Sequence, residues 1–207
     1  MFEYLKYKLG QLPESEASNY EATLQQEAGQ RQCKQCNEYK DWLLRYSPSV
    51  RFMQEQIQRI GGNINQNNIV CDECNEMKSG GFHPELGILL CQNKLQSQSH
   101  AEDTLTHELV HAYDHCRFDV DWSDLRHHAC SEIRASTLSG ECRMMNEFLK
   151  HGHMKFGRGH QDCVRRRATL SVMGNPNCKN REMAENVVNQ VFEHCFNDTR
   201  PFDEIYR

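Results

Sequence analysis

One short segment limits the fold more than any other part of this 207-residue chain: Thr106-His107-Glu108-Leu109-Val110-His111-Ala112-Tyr113-Asp114-His115. On a helix, residues four apart lie one turn apart on the same face, so His107 and His111 can point at one metal ion. Neutral imidazole nitrogen suits Zn²⁺. Glu108 is displaced around the helix, where it can reach a bound water without taking the water's place. Leu105, Leu109, Ala112 and Cys116 form an apolar stripe on another face. Ser99 and Glu102 read as a capping box at the helix entrance. The expectation is one catalytic zinc ion held by this helix, with Glu108 as general base.

A catalytic zinc needs a third protein ligand. A histidine six residues beyond His111 would fall at Arg117, which excludes that arrangement. Glu132, 21 positions after His111, resembles the gluzincin pattern, in which a glutamate from the following helix closes the site. Its bland alternative is a surface pairing with Arg134. His115 is a rival, but three imidazoles along one helix span ~12 Å of rise. It fits a supporting or substrate-side position better. His127 and His128 are further rivals. Asp114 is a candidate to hold an imidazole N–H. Tyr113, His127, His128 and Arg134 are candidate donors to a developing oxyanion. The chemistry expected is peptide hydrolysis, Glu108 taking the attacking water's proton and passing it to the leaving amine.

Eleven cysteines are spread along the chain, which suggests several disulfides and an oxidising compartment. Cys33, Cys36, Cys71, Cys74, Cys91, Cys116, Cys130, Cys142, Cys163 and Cys195 are expected to be structural, leaving about one free thiol. Cys33-x-x-Cys36 and Cys71-x-x-Cys74 could instead build a four-cysteine zinc site.

The remaining pattern is α+β, mostly helical, with a small sheet ahead of the metal helix. Residues 1–32 read as a polar, partly helical lead-in and 203–207 as a tail, flanking one domain at 33–202. Residues 36–60 have helical spacing, interrupted at Pro48 and ended by Gly61-Gly62. Asn68–Cys74 and Gly87–Gln92 are short strand-like runs, with Gly80-Gly81 and Pro84 as turn punctuation. The second of these could offer a sheet edge to an extended peptide. Further helices are expected at about Arg126–Lys150, Gln161–Met173 and Arg181–Phe196, with a Gly-rich loop over His151–Gly159. No apolar run approaches the ~20 residues of a membrane span, and no secretory h-region is expected at the start. The first ten residues read as an ordinary or weakly surface-binding terminus. A net charge of −5 gives no case for nucleic acid as a partner.

Extended along the chain, the motifs resemble a family. They are His107 to Arg117, Asp121-Trp122, Ala129 to Ala135, Leu138-Ser139-Gly140-Glu141-Cys142, Cys71 to Cys74, Val164 to Ala168 and Cys195 to Asp198. They are similar to the mitochondrial inner-membrane metalloproteases that process and assemble the a subunit of the F-type ATP synthase. The resemblance covers residues 33–202 and implies a metalloprotease with His107, Glu108 and His111 as functional residues; with the spacing to Glu132, the fold expected is a zincin-like, gluzincin-type domain. It further implies peripheral attachment on the intermembrane-space side, many disulfides, the a-subunit precursor as substrate, and contact with inner-membrane scaffold proteins. A chaperone role independent of proteolysis, or a non-catalytic zinc module, is the rival reading.

Overall fold

The structure, a computed structural model, describes residues 6–142 and 159–203. Helix α1 (Glu14–Tyr46) runs without interruption through residue 33, and its first half is largely exposed. Helix α2 (Pro48–Arg59) follows directly. Pro48 occupies its first turn, where no N–H is needed, and Ser47 Oγ caps the helix by accepting from Val50 N–H. Gly61, at φ +89°, ends it.

Three strands come next: β1 (Ile69–Asp72), β2 (Gly80–His83) and β3 (Gly87–Cys91). Their order is β1-β3-β2, with β1 parallel and β2 antiparallel to β3. β3 is therefore central and hydrogen-bonded on both sides, which fits its nearly continuous apolar run. It cannot offer an edge to a peptide, contrary to the expectation from sequence. Gly80-Gly81 is strand rather than turn. Glycine is used here for closeness: a Cβ on Gly80 would lie 2.8 Å from Thr104 Cγ2 and 3.2 Å from Glu108 Oε1.

Helix α3 (Gln98–Arg117) carries the motif. Its N-cap is Ser97, accepting from His100 N–H, and not Ser99. Glu102 instead accepts from Ser47 Oγ at 2.6 Å and Ser49 Oγ at 3.2 Å, pinning α3 to the α1–α2 junction. Cys116 is exposed rather than part of the apolar stripe. The stripe above it is fully buried: Leu105, Leu109 and Ala112 are all 0% exposed. Burying a leucine contributes roughly 1.5–3 kcal/mol, so the metal helix is firmly seated.

Helix α4 (Leu125–Leu138) is capped by Asp124 and ends well short of Lys150. Gly140, at φ +93°, turns the chain away, and residues 143–150 lie outside the described ones. So does the expected loop at His151–Gly159, except Gly159, which opens α5 (Gly159–Met173). Helix α6 (Arg181–Asn197) is capped by Asn180.

Two hydrophobic clusters divide the interior. Leu43, Met53, Ile57, Leu90, Leu105 and Leu109 lead the first; Ile133, Val164, Val188 and Phe192 lead the second. Helix α4 serves both, giving Ala135 and Leu138 to one and Ala129 and Ile133 to the other. Four disulfides form: Cys36–Cys71, Cys74–Cys91, Cys130–Cys195 and Cys142–Cys163. They remove the four-cysteine zinc alternative, since Cys36, Cys71 and Cys74 are oxidised. Cys33 and Cys116, expected to be bonded, are free, as is Cys178; the free thiols number three rather than one. Among the described residues, no helix is long and apolar enough to cross a membrane.

Candidate metal centre

Helices α3 and α4 face each other and bring His107, His111 and Glu132 together, all three buried, with one ligand atom from each within 4.8 Å of the others. His107 Nε2 lies 3.5 Å from Glu132 Oε2, and His111 Nε2 lies 3.4 Å from Glu132 Oε1. The rings are held by their other nitrogens. His111 Nδ1 bonds to Ser131 Oγ at 2.8 Å, and Ser131 donates to Asp114 Oδ2 at 2.9 Å. Asp114 therefore reaches the imidazole through a hydroxyl, not directly. His107 Nδ1 pairs with Glu141 Oε1, and Glu141 Oε2 pairs with Arg167 of α5. Glu132 Oε1 also accepts from Ser171 Oγ at 2.6 Å.

Charge in the cluster is strongly biased. Burial opposes a charged His107 ring, but the carboxylates of Glu141 and Glu132 outweigh it and hold its pKa well above the ordinary imidazole value. Burial would likewise neutralise Glu132, yet His111 and His107 keep its carboxyl well below the usual range. The centre favours positive charge among its carboxylates. Glu108 is 6% exposed, and burial pushes its carboxyl up against the pull of both imidazoles.

A cleft of about 860 Å³ opens over these residues. Its walls include Gly80 to Phe82 of β2, Thr104 and Glu108 of α3, Trp122, His128, and Leu170 and Ser171 of α5. Of the candidate oxyanion donors, His128 alone lines it. Its Nδ1 is engaged by Asn175 at 3.0 Å and its Nε2 lies 3.5 Å from Glu132 Oε1. His128 thus braces Glu132. His127 accepts from Asp121 N–H on the exposed side, and Tyr113 is packed in the first core cluster against Phe118. Arg134 does not pair with Glu132: it is 2% exposed and bonds Asp114 and Asp198. His115 sits against Phe82 and Trp122 and is not one of the three converging groups.

Ser131, Glu141, Arg167 and Ser171 are parts of the site that sequence reasoning assigned no role. Ser131 carried one usable signal, its place beside Glu132. Glu141 and Arg167 lie in stretches that carry the resemblance, but no local pattern links them, because their meeting depends on how α5 returns over α4.

Gly80→Ala should drive the new methyl into Thr104 and Glu108. We expect a loss of about 1–3 kcal/mol in denaturant unfolding, with a larger proportional loss of cleavage as Glu108 is displaced.

A profile of the Peptidase M76 family matches residues 34–203. A mitochondrial inner membrane protease, ATP23, of Yarrowia lipolytica is 56% identical over 203 residues, covering 98% of this chain and 81% of that protein. The protein of the same name from Candida glabrata is 54% identical, covering 98% and 95%. That from Saccharomyces cerevisiae is 52% identical, covering 98% and 93%. No solved structure matches the chain.

Proposed function

The chain belongs to the peptidase M76 family, and from that premise we propose that it is a zinc endopeptidase whose metal is held by His107, His111 and Glu132, with Glu108 as general base. The observation that carries the proposal is the convergence of two Nε2 atoms and one carboxylate beside a buried glutamate. The donor set fits the ion: two imidazoles and a carboxylate leave a fourth position free, as in catalytic zinc sites. The separations of 3.4 and 3.5 Å also fit, since tetrahedral ligands at ~2.0–2.1 Å lie about 3.4 Å apart. A cluster that raises an imidazole pKa between carboxylates is one that favours a cation.

When bound, zinc supplies Lewis-acid polarisation of the scissile carbonyl and the attacking water. Glu108 accepts the water's proton and delivers it to the leaving amine. Ser131 and Asp114 fix the His111 ring, and His128 and Ser171 steady Glu132. The peptide lies extended along β2, which lines the cleft and is paired on one side only among the described residues. Added main-chain hydrogen bonds would give affinity with little side-chain demand.

The substrate is the presequence of the mitochondrially made a subunit of ATP synthase, which the protein also helps to assemble. The sequence resemblance supports this substrate, and relatives named as mitochondrial inner membrane proteases support a protein substrate at that membrane. Four disulfides favour the oxidising intermembrane-space side, and the sequence resemblance supports peripheral attachment.

The test is metal analysis of the purified protein. One zinc per chain is expected. Glu132→Ala should weaken zinc binding by at least about 100-fold, beyond the loss expected from an outer group. Full zinc occupancy in that variant at limiting free metal would refute the ligand assignment.

A further inference from the structure

Glu141 has no part in the peptidase reading above, yet its contacts are specific. Gly140 turns the chain back at the end of α4, and the next residue places a carboxylate on His107 Nδ1. The other oxygen of the same carboxylate meets Arg167. Its side chain is 11% exposed, so the pairing is largely shielded from water. Cys142 follows immediately and is bonded to Cys163, one helical turn before Arg167 on α5. A single covalent clasp thus fixes both the turn that carries Glu141 and the helix that carries its cation.

We propose that Glu141 is the positioning residue for His107, locked in place by Arg167 and by the Cys142–Cys163 bridge. The inference rests on His107 being a metal ligand. A carboxylate on Nδ1–H selects the tautomer whose Nε2 lone pair faces Glu132, and it makes that nitrogen a better donor. His111 is held by a neutral hydroxyl, so the two ligands differ in how they are tuned. The arrangement also explains a buried carboxylate that would otherwise be costly.

The experiment measures zinc affinity of the full chain by competition with a chelator. It is done for Glu141→Gln, Glu141→Ala, Arg167→Ala and the double variant Cys142→Ser with Cys163→Ser. The His107 imidazole tautomer is read in parallel by nitrogen NMR on the chelator-treated protein, at a pH raised until the ring is neutral. Glu141→Ala should weaken zinc about 10–100-fold and mix the tautomers. Glu141→Gln keeps an acceptor and should lose less. The double cysteine variant should weaken zinc in the same direction, and adding Glu141→Ala to it should cost little more. Wild-type affinity and tautomer in Glu141→Ala would overturn the proposal. Wild-type affinity in the double cysteine variant would overturn the clasp. His107→Ala separates this from failure of the metal site: if it too leaves affinity unchanged, the ligand assignment is wrong. If His107→Ala weakens zinc and Glu141→Ala does not, the positioning role alone falls.

Discussion

Glu108→Gln is expected to lower peptide cleavage by about 10²–10⁴-fold while leaving one zinc bound. The carboxylate lies outside the trio His107, His111 and Glu132, so removing its charge takes nothing from the proposed ligand set. What it loses is the proton acceptor. The site is built to make that acceptor effective: Glu108 is nearly buried, and desolvation holds its carboxyl above the ordinary range, which strengthens it as a base. Cleavage of the proposed substrate, the a-subunit precursor, by the purified protein gives the measurement, and zinc content of the same preparation gives the control. Unchanged cleavage in the variant would remove Glu108 from the reaction. Retained assembly of the subunit with lost cleavage would show an assembly role separable from hydrolysis.

The second large effect concerns stability. Cys130–Cys195 ties α4 to α6 across 65 residues, inside the second hydrophobic cluster. Loop-closure entropy for a bridge of that span is worth about 4 kcal/mol. Replacing both cysteines by serine should lower the thermal midpoint by roughly 8–16 °C for a chain of this size. Cys116→Ser is the matched control, since that thiol is exposed and unbonded. Its effect should stay within about 0.5 kcal/mol. A small shift in the double variant would mean that helix packing around Phe192 and Ile133 supplies the stability without the bridge.

Local patterns were legible in the sequence, and non-local ones were not. The metal helix, the interruption at Pro48, and the last two helices follow from periodicity and capping chemistry, which act within a few residues. The strand at Gly80-Gly81 was hidden because glycine there answers to a helix 24 positions away at Thr104. The same reason hid Ser171 and Arg167, which come to the site only once α5 packs over α4. Arg134 shows the reverse error. Its charge suggested the cleft, but it binds Asp114 and Asp198 in the interior, whereas Asp114 does serve an imidazole, through Ser131. The capping box failed by two residues because Ser97 and Ser99 offer the same chemistry, and only the tertiary demand of Ser47 on Glu102 decides between them.

The connectivity of the four bridges also lets the two halves of the chain be oxidised separately. Cys36–Cys71 and Cys74–Cys91 close among the first 91 residues, and Cys142–Cys163 nests inside Cys130–Cys195. None crosses from one group to the other, and α3 lies between them with the histidines. A chain entering an oxidising space end-first could therefore complete its first pair of bridges before the second half has arrived. Neither half needs to wait for a distant cysteine, and the number of wrong pairings open to the early half is small. The proposed zinc site, drawing on α3 and α4, would then be the last link made, joining two units that have already been oxidised.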